Sequence, residues 1–260
     1  MESTPCAELL KSVMSEVMPS GKKVLVAVAT YNERENLPHL TEAILSVVPD
    51  ADLLIIDDNS PDGTGQWAME YACTQPRVKV LSRSGKQGLG TAVLEAMDHA
   101  IAGNYDYLVN LDADFSHPPK NIPDLLREAE YSGADVVIGS RYIAGGKIVG
   151  WPRRRHWMSR GVNRYARLVL GLRTHDNSGA FRCYSVPILK KLRRGRILSK
   201  GYSFFEEVLF RIRRLGGTFR EIPIIFTERA YGQSKINGKE ALTALLLLPL
   251  LPFTGLGEKH

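Results

Sequence analysis

The feature that most constrains this chain is a series of short apolar runs. Each is followed by turn-forming residues and then by a helix-periodic segment. Val24–Ala29 ends in Thr30-Tyr-Asn-Glu33, and Leu53–Ile56 ends in Asp57-Asp-Asn-Ser-Pro-Asp-Gly-Thr64. Val78–Leu81 leads to the glycine-rich segment Gly85–Gly90, and Tyr107–Leu111 ends in Asp112-Ala-Asp114. Apolar runs this short, bounded by turn residues, read as strands buried on both faces. Helices are predicted over residues 35–47, 65–72, 91–101 and 119–131, with a further strand over 135–139. Asn59 or Ser60 is the expected helix cap after the second strand.

Strands alternating with helices predict the α/β class: one Rossmann-like domain with a mostly parallel central sheet and helices on both faces. The second half is less regular. A basic helix is expected over 156–170, then a polar turn over 174–179 and a short apolar stretch around Phe181. Helices over 187–192 and 204–215 and a strand over 218–226 follow. The chain divides into a lead-in (1–22), a catalytic-sized domain (23–240) and an apolar tail (241–260). A membrane-spanning helix needs about 20 apolar residues, and Pro249 and Pro252 interrupt the tail. It reads either as a core helix or as a segment lying in a membrane interface.

The formal charge is +6, and its distribution says more than its sum. Between Val136 and Phe205 the sole acid is Asp176, among many arginines and lysines. A one-sign region attracts polyanions: nucleic acid, an anionic membrane or phosphorylated substrates. No nucleic-acid readout motif is present, and acids at the strand ends would repel a phosphate backbone, which argues against nucleic acid. Cys6, Cys73 and Cys183 are too dispersed for a disulfide framework or a CxxC site, so a reducing compartment is expected. The first twenty residues lack the apolar run of a signal peptide, which points to the cytoplasm.

In open α/β sheets, ligands collect beyond the carboxyl ends of the strands. Glu33, Asp57, Asp58, Asp112 and Asp114 all lie there and are predicted to converge on one crevice. Asp112 and Asp114 are one residue apart, so a turn after the strand can bring both carboxylates to a hard cation such as Mg²⁺. Other motifs fail on spacing. Gly85–Gly90 is GxxGxG rather than GxGxxG, and 232–239 misses the P-loop. A calcium loop beginning at Asp58 has Met69 where a bidentate glutamate is required. No paired histidine ligands and no GxSxG elbow occur, and His117, three residues after Asp114, reads as a turn residue ahead of the alternative that it lines the site.

Taken in order, Thr30–Asn36, Asp57–Thr64, Gly88-Leu-Gly90, Asp112-Ala-Asp-Phe-Ser-His-Pro-Pro119, Gly139-Ser-Arg-Tyr142, Ser178-Gly-Ala-Phe-Arg182 and Arg229-x-x-Gly-x-Ser-Lys235 form a pattern. It resembles the dolichol-phosphate mannosyltransferase (polyprenol-monophosphomannose synthase) type of the GT-A-fold, inverting glycosyltransferase family 2, from about Lys23 to Glu240. The resemblance implies that Ala29, Tyr31, Glu33, Ile55 and Asp57 hold the donor nucleotide. It implies that Asp112, Ala113 and Asp114 bridge to the diphosphate through Mg²⁺ or Mn²⁺, with Ser116 completing the metal's surroundings. Arg141, Arg229 and Lys235 would grip donor and acceptor phosphates, and Asp114, Arg141 and Arg229 would be the catalytic set. Ala29 replaces a proline of many relatives, and Ser116 a glutamine of some.

The implied reaction moves mannose from GDP-mannose to a polyprenyl phosphate with inversion, the lipid phosphate attacking as GDP leaves. UDP-glucose is the alternative donor. A phosphate monoester is already ionised near neutral pH, so no strong base is needed, and the sequence offers none. Arg141 could instead pair with a core carboxylate, and Lys235 could be a solvated lysine. The basic helix with Trp151, Trp157 and Tyr165, together with the tail, suits an anionic membrane face on the cytosolic side. A partner subunit for membrane anchoring is compatible with this pattern.

Overall fold

The computed structural model describes residues 21–192, 197–199, 201, 203–228 and 247–254. Its first half repeats one unit, strand then helix. These are β1 (Val24–Thr30), α1 (Leu37–Val47), β2 (Asp52–Asp57), α2 (Thr64–Thr74), β3 (Val78–Ser82), α3 (Leu89–Ala102) and β4 (Tyr107–Asp112). A 3-10 turn (Pro119–Asn121) opens α4 (Ile122–Ser132), and β5 (Val136–Ser140) follows. The expected elements of this half are all present, with boundaries shifted by a residue or two.

The second half holds β6 (Lys147–Val149), α5 (Arg153–Leu170), β7 (Arg182–Ser185), α6 (Val186–Lys191), α7 (Phe204–Arg214), β8 (Phe219–Pro223), β9 (Ile225–Thr227) and a 3-10 helix, Leu248–Phe253. The main sheet runs β3-β2-β1-β4-β7-β5-β8, and β6 pairs with β9 in a small second sheet. Every pairing in the main sheet is parallel except those of β7, which runs antiparallel to both β4 and β5. Two expectations are corrected. The apolar stretch at Phe181 opens a strand, and the strand expected over 218–226 is two strands in two sheets. Ile224 separates them just after Pro223, which ends β8 because a proline cannot donate to a ladder.

Alternation along the strands builds two cores. Val24, Val26 and Val28 pack with α1, α2 and α4 on one face, and Leu25 and Ala27 face α3, α5 and α7 on the other. Both faces of the sheet are thus covered, and what remains open is the end where β1, β2 and β4 stop. In the tail, Leu248 and Leu251 are buried against α5 and α7 while Leu250 is exposed. Among the described residues no helix is long and apolar enough to cross a membrane.

Candidate active site

The parallel register aligns Thr30 with Asp57 and Ala29 with Asp112, so the loops after β2, β1 and β4 are neighbours. Asp57 is buried. Its Oδ1 accepts from Thr30 Oγ1 at 3.0 Å and Ser60 Oγ at 2.5 Å, and its Oδ2 accepts from Ser60 N at 2.9 Å. Asp62 Oδ1 accepts from Thr64 N at 3.0 Å and Thr64 Oγ1 at 2.5 Å. Three successive backbone N–H groups of the β1 loop then donate into the Asp57–Thr64 loop. Asn32 N donates to Ser60 Oγ (3.0 Å), Glu33 N to Thr64 Oγ1 (3.0 Å) and Arg34 N to Asp62 Oδ2 (3.1 Å). Burial alone would raise the Asp62 pKa, but the hydrogen bonds from Thr64 and Arg34 hold it below the usual range.

These bonds give the acids at the strand ends different duties. Asp57 braces its own loop, and Glu33 Oε2 accepts from Asn36 Nδ2 at 2.8 Å. Asp58 faces Arg83, whose Nη1 lies 3.1 Å from Asp58 Oδ1, and burial pushes the Asp58 pKa up despite that guanidinium. Arg83 Nη2 also donates to Thr91 Oγ1 at 2.6 Å. Sequence reasoning missed Arg83, because a single arginine after a strand carries no pattern. Neither Asn59 nor Ser60 caps α2: Gly63 holds the cap position, and Asn59 takes a left-handed turn conformation. Tyr31 is half-buried with Lys86 Nζ 5.0 Å from its ring centroid, and Ala29 is half-buried at its strand end. Ile55 does not line the crevice; its side chain is fully buried in the core between β1 and β3.

The turn after β4 is strained where the chemistry is expected. Phe115 has φ of 59°, a conformation that costs a bulky residue about 1–3 kcal/mol. It allows Asp114 Oδ1 to accept from Ser116 N at 3.1 Å. The Asp112 side chain is 36% exposed, whereas Asp114 and Ala113 are buried. Ser116 Oγ is buried with no hydrogen-bond partner. Among the described residues no group of three or more His, Cys, Asp and Glu side chains forms a closed metal site. Two carboxylates and an orphaned hydroxyl fit a Mg²⁺-like ion, which takes one or two protein carboxylates and fills its remaining positions from water and substrate phosphates.

His117 lies in the bend after β4, as expected, and faces inward. It is buried, stacked on Phe181 with ring centroids 5.4 Å apart and edge-on to Phe226 at 5.3 Å. Its Nδ1 accepts from Asp112 N at 3.3 Å, and burial pushes its pKa down to about 4. The ring is therefore neutral at pH 7, and its 3.6 Å approach to Asp112 Oδ2 is a contact rather than an ion pair. Thr227 N on β9 donates to Ser116 O at 3.2 Å, tying the small sheet to the same turn.

Phe226 carries the site across to Arg141. The Arg141 guanidinium lies 5.3 Å from the Phe226 ring, 5.3 Å from Tyr142 and 5.7 Å from Trp151. Its Nε and Nη2 donate to the two oxygens of Asp176, each at 2.7 Å. The core-carboxylate pairing thus occurs, and Asp176 is the lone acid of the basic stretch. Burial alone would lower the Arg141 pKa, but Asp176 outweighs it and holds the charge firmly in place. Arg229 and Lys235, the other expected phosphate ligands, lie outside the described residues.

An α/β sheet with an Asp-x-Asp turn at its carboxyl edge, near a caged arginine, fits the class of enzymes that transfer groups between phosphorylated substrates, and the comparisons give it a family. The chain belongs to glycosyl transferase family 2, whose model matches residues 25–193, and it is a glycosyltransferase. It is 43% identical over 216 residues to the undecaprenyl-phosphate mannosyltransferase of Micrococcus luteus, covering 83% of this chain and 88% of that protein. It is 41% identical over 225 residues to the polyprenol monophosphomannose synthase of Mycolicibacterium smegmatis, covering 86% of this chain and 84% of that protein. Similar in fold is the glucosyl-3-phosphoglycerate synthase of Mycobacterium tuberculosis, solved with Mn²⁺ and UDP (TM-score 0.66, 18% identity, 95% of this chain and 85% of that one). A mannosyltransferase of Pyrobaculum calidifontis, solved with GDP-Man and Mn²⁺, is more distant (TM-score 0.56, 14% identity, 95% and 77% coverage).

Proposed function

We propose that this enzyme transfers mannose from GDP-mannose to a polyprenyl monophosphate, with inversion, at the cytosolic face of an anionic membrane. The observation that carries the reading is the juxtaposition through Phe226. Its ring touches His117, which holds the Asp112 backbone, and Arg141, so the carboxylate turn and a cation for phosphate share one crevice. The names of the two relatives, alike over most of both chains, supply the mannosyl group and the lipid phosphate.

In this reading Asp112 and Asp114 hold Mg²⁺ or Mn²⁺ with Ser116 beside them. The cation would offset charge on the leaving diphosphate. Tyr31, Glu33, Ala29, Asp57 and Ala113 shape the donor side. Arg141 neutralises the incoming phosphate, with Arg229 and Lys235 as its partners, and like-charge repulsion between the two substrates falls accordingly. A single displacement by an ionised phosphate needs no general base, and His117, whose Nδ1 is taken up by Asp112 N, is not assigned as one.

The membrane reading rests on α5. Arg153, Trp157, Arg160, Arg164 and Leu168 follow helical spacing along one exposed stripe, with Trp157 73% and Leu168 74% exposed. No acid lies on this helix. Exposed Leu250 lies on the 3-10 helix packed against α5. An aromatic and an aliphatic side chain set among arginines suit an anionic interface.

Transfer of label from GDP-mannose or from UDP-glucose to a polyprenyl phosphate, with and without chelator, tests the proposal. Labelling from GDP-mannose that chelator abolishes is expected. Labelling from UDP-glucose alone would replace mannose by glucose in the reading.

A further inference from the structure

We propose that Asp176 is a positioning residue for the transfer. It clamps one edge of Arg141 and leaves Nη1 as the donor for the acceptor phosphate, and helix α5 sets the clamp through Asn163. The inference rests on the proposed role of Arg141 as an acceptor-phosphate ligand.

Asp176 is 0% exposed and makes four hydrogen bonds through its carboxylate. Three come from Arg141: Nε and Nη2 at 2.7 Å and the backbone N at 2.9 Å. The fourth comes from Gly179 N at 3.1 Å. Arg141 Nη2 also donates to Ser178 Oγ at 3.1 Å. The Nε and Nη2 edge is therefore fully used, whereas Nη1 has no hydrogen-bond partner among the described residues. Rings of Tyr142, Trp151 and Phe226 surround the guanidinium and oppose any swing out of this orientation. A guanidinium fixed along one edge, with N–H groups left on the other, is preorganised for an anion that arrives from one direction.

The clamp does not stand alone. Asn163 on α5 is buried; its Oδ1 accepts from Asn177 N at 2.6 Å and Ser178 N at 3.3 Å, and its Nδ2 donates to Ser178 Oγ at 3.1 Å. One turn earlier, Tyr142 OH donates to Ser159 Oγ at 2.6 Å, and one turn before that Arg155 stacks on Trp151 at 4.0 Å. Arg155, Ser159 and Asn163 are four residues apart, so one face of α5 holds the Arg141 cage while its other face carries the exposed basic and apolar stripe. The helix proposed to meet the lipid surface is the helix that orients the arginine.

The test uses the full chain with steady-state kinetics for both substrates, thermal unfolding, and a binding readout independent of transfer. For binding, Trp151 fluorescence is followed in a W67F/W157F background, which leaves it the single tryptophan. A short prenyl phosphate is the probe, and the matching prenyl alcohol is the control. Asp176→Asn is expected to raise the acceptor KM and the prenyl phosphate Kd at least tenfold, with the donor KM within twofold. Ser178→Ala, which removes the hydroxyl that accepts from Arg141 Nη2 and Asn163 Nδ2, is expected to raise the acceptor KM about threefold and to lower the Tm by only a few degrees, leaving the enzyme folded.

A folded D176N enzyme with unchanged acceptor KM, or with donor and acceptor KM raised alike, overturns the proposal. If D176N fails to fold, S178A decides, and an unchanged acceptor KM there overturns it equally. The reading of the enzyme itself fails separately. Phosphate-dependent quenching that D176N abolishes, without mannosyl transfer by the parent, would keep the clamp and sink the donor assignment.

Discussion

Gly65 lies so close beneath Asp57 that a Cβ built on it would fall 2.5 Å from Asp57 Oδ2 and 3.0 Å from its carboxyl carbon. The Asp57 carboxylate can occupy that position, where it joins Thr30 to Ser60, because residue 65 has no side chain. Gly65→Ala should push Asp57 away and loosen the stitching between the loops after β1 and β2. Overpacking of this kind costs roughly 1–3 kcal/mol. Urea unfolding of the variant should show that loss, and the donor KM should rise with it, since Tyr31 and Glu33 belong to the displaced loop.

Asp114→Asn tests the metal assignment. Asn keeps the shape and can still accept from Ser116 N, so folding should be little affected. The proposed cation would lose one of its two carboxylates, and kcat should fall at least a hundredfold, in line with the roughly 3 kcal/mol attached to a preorganised charge-stabilising group. Titration with Mn²⁺ should show weaker activation than in the parent. A variant with unchanged metal dependence would remove Asp114 from the role.

Glu206, 2% exposed at the start of α7, supplies a pH prediction. Burial raises its pKa to about 7, with Arg182 and Arg141 opposing and Asp176 reinforcing the shift. Because the folded pKa exceeds the unfolded one, its contribution to stability is present below about pH 4.5 and is lost as pH rises through about 7. His117, lowered to about 4, has the opposite sign: its contribution is present above its ordinary 6.5 and is lost as pH falls towards 4. The two partly cancel in the parent. Glu206→Gln should unmask the His117 slope and stabilise the protein above pH 7 by up to ~3 kcal/mol. Tm profiles of parent and variant from pH 4 to 8 measure it, and parallel profiles would show that Glu206 does not titrate in this window.

The exposed stripe of α5 predicts how the enzyme meets lipid. Replacing Arg160 and Arg164 by glutamine should weaken binding to vesicles containing anionic lipid by about 2 kcal/mol, near 1 kcal/mol per charge, and more so at low salt. Trp157→Ala should weaken binding at any salt concentration. Vesicle sedimentation at two ionic strengths separates the effects. Equal loss from neutral vesicles in the arginine variant would argue against an electrostatic contact.

Much of the first half was legible because it is built from local rules. Apolar runs ending in turn residues mark β1 to β4, and helical periodicity marks what lies between them. Where the sequence misled, the deciding contact was distant. His117 sits in the expected turn, but its burial comes from Phe181 and Phe226, remote in sequence. The resemblance sets Ile55 at the donor, yet its side chain lies on the core side of β2, and the bond from Thr30 that holds Asp57 crosses from another strand. β7 was read only as an apolar stretch, since four residues carry too little pattern to announce a strand.

By itself, the order of residues determined the α/β class, the carboxyl-edge location of the site and the Asp112–Asp114 turn, because each follows from contacts within a few residues along the chain. Packing alone decided which acids remain for a ligand and which brace loops. It also paired Arg141 with Asp176, thirty-five positions away. A buried charge takes whichever partner the fold brings within hydrogen-bonding reach, and a linear sequence does not contain that distance.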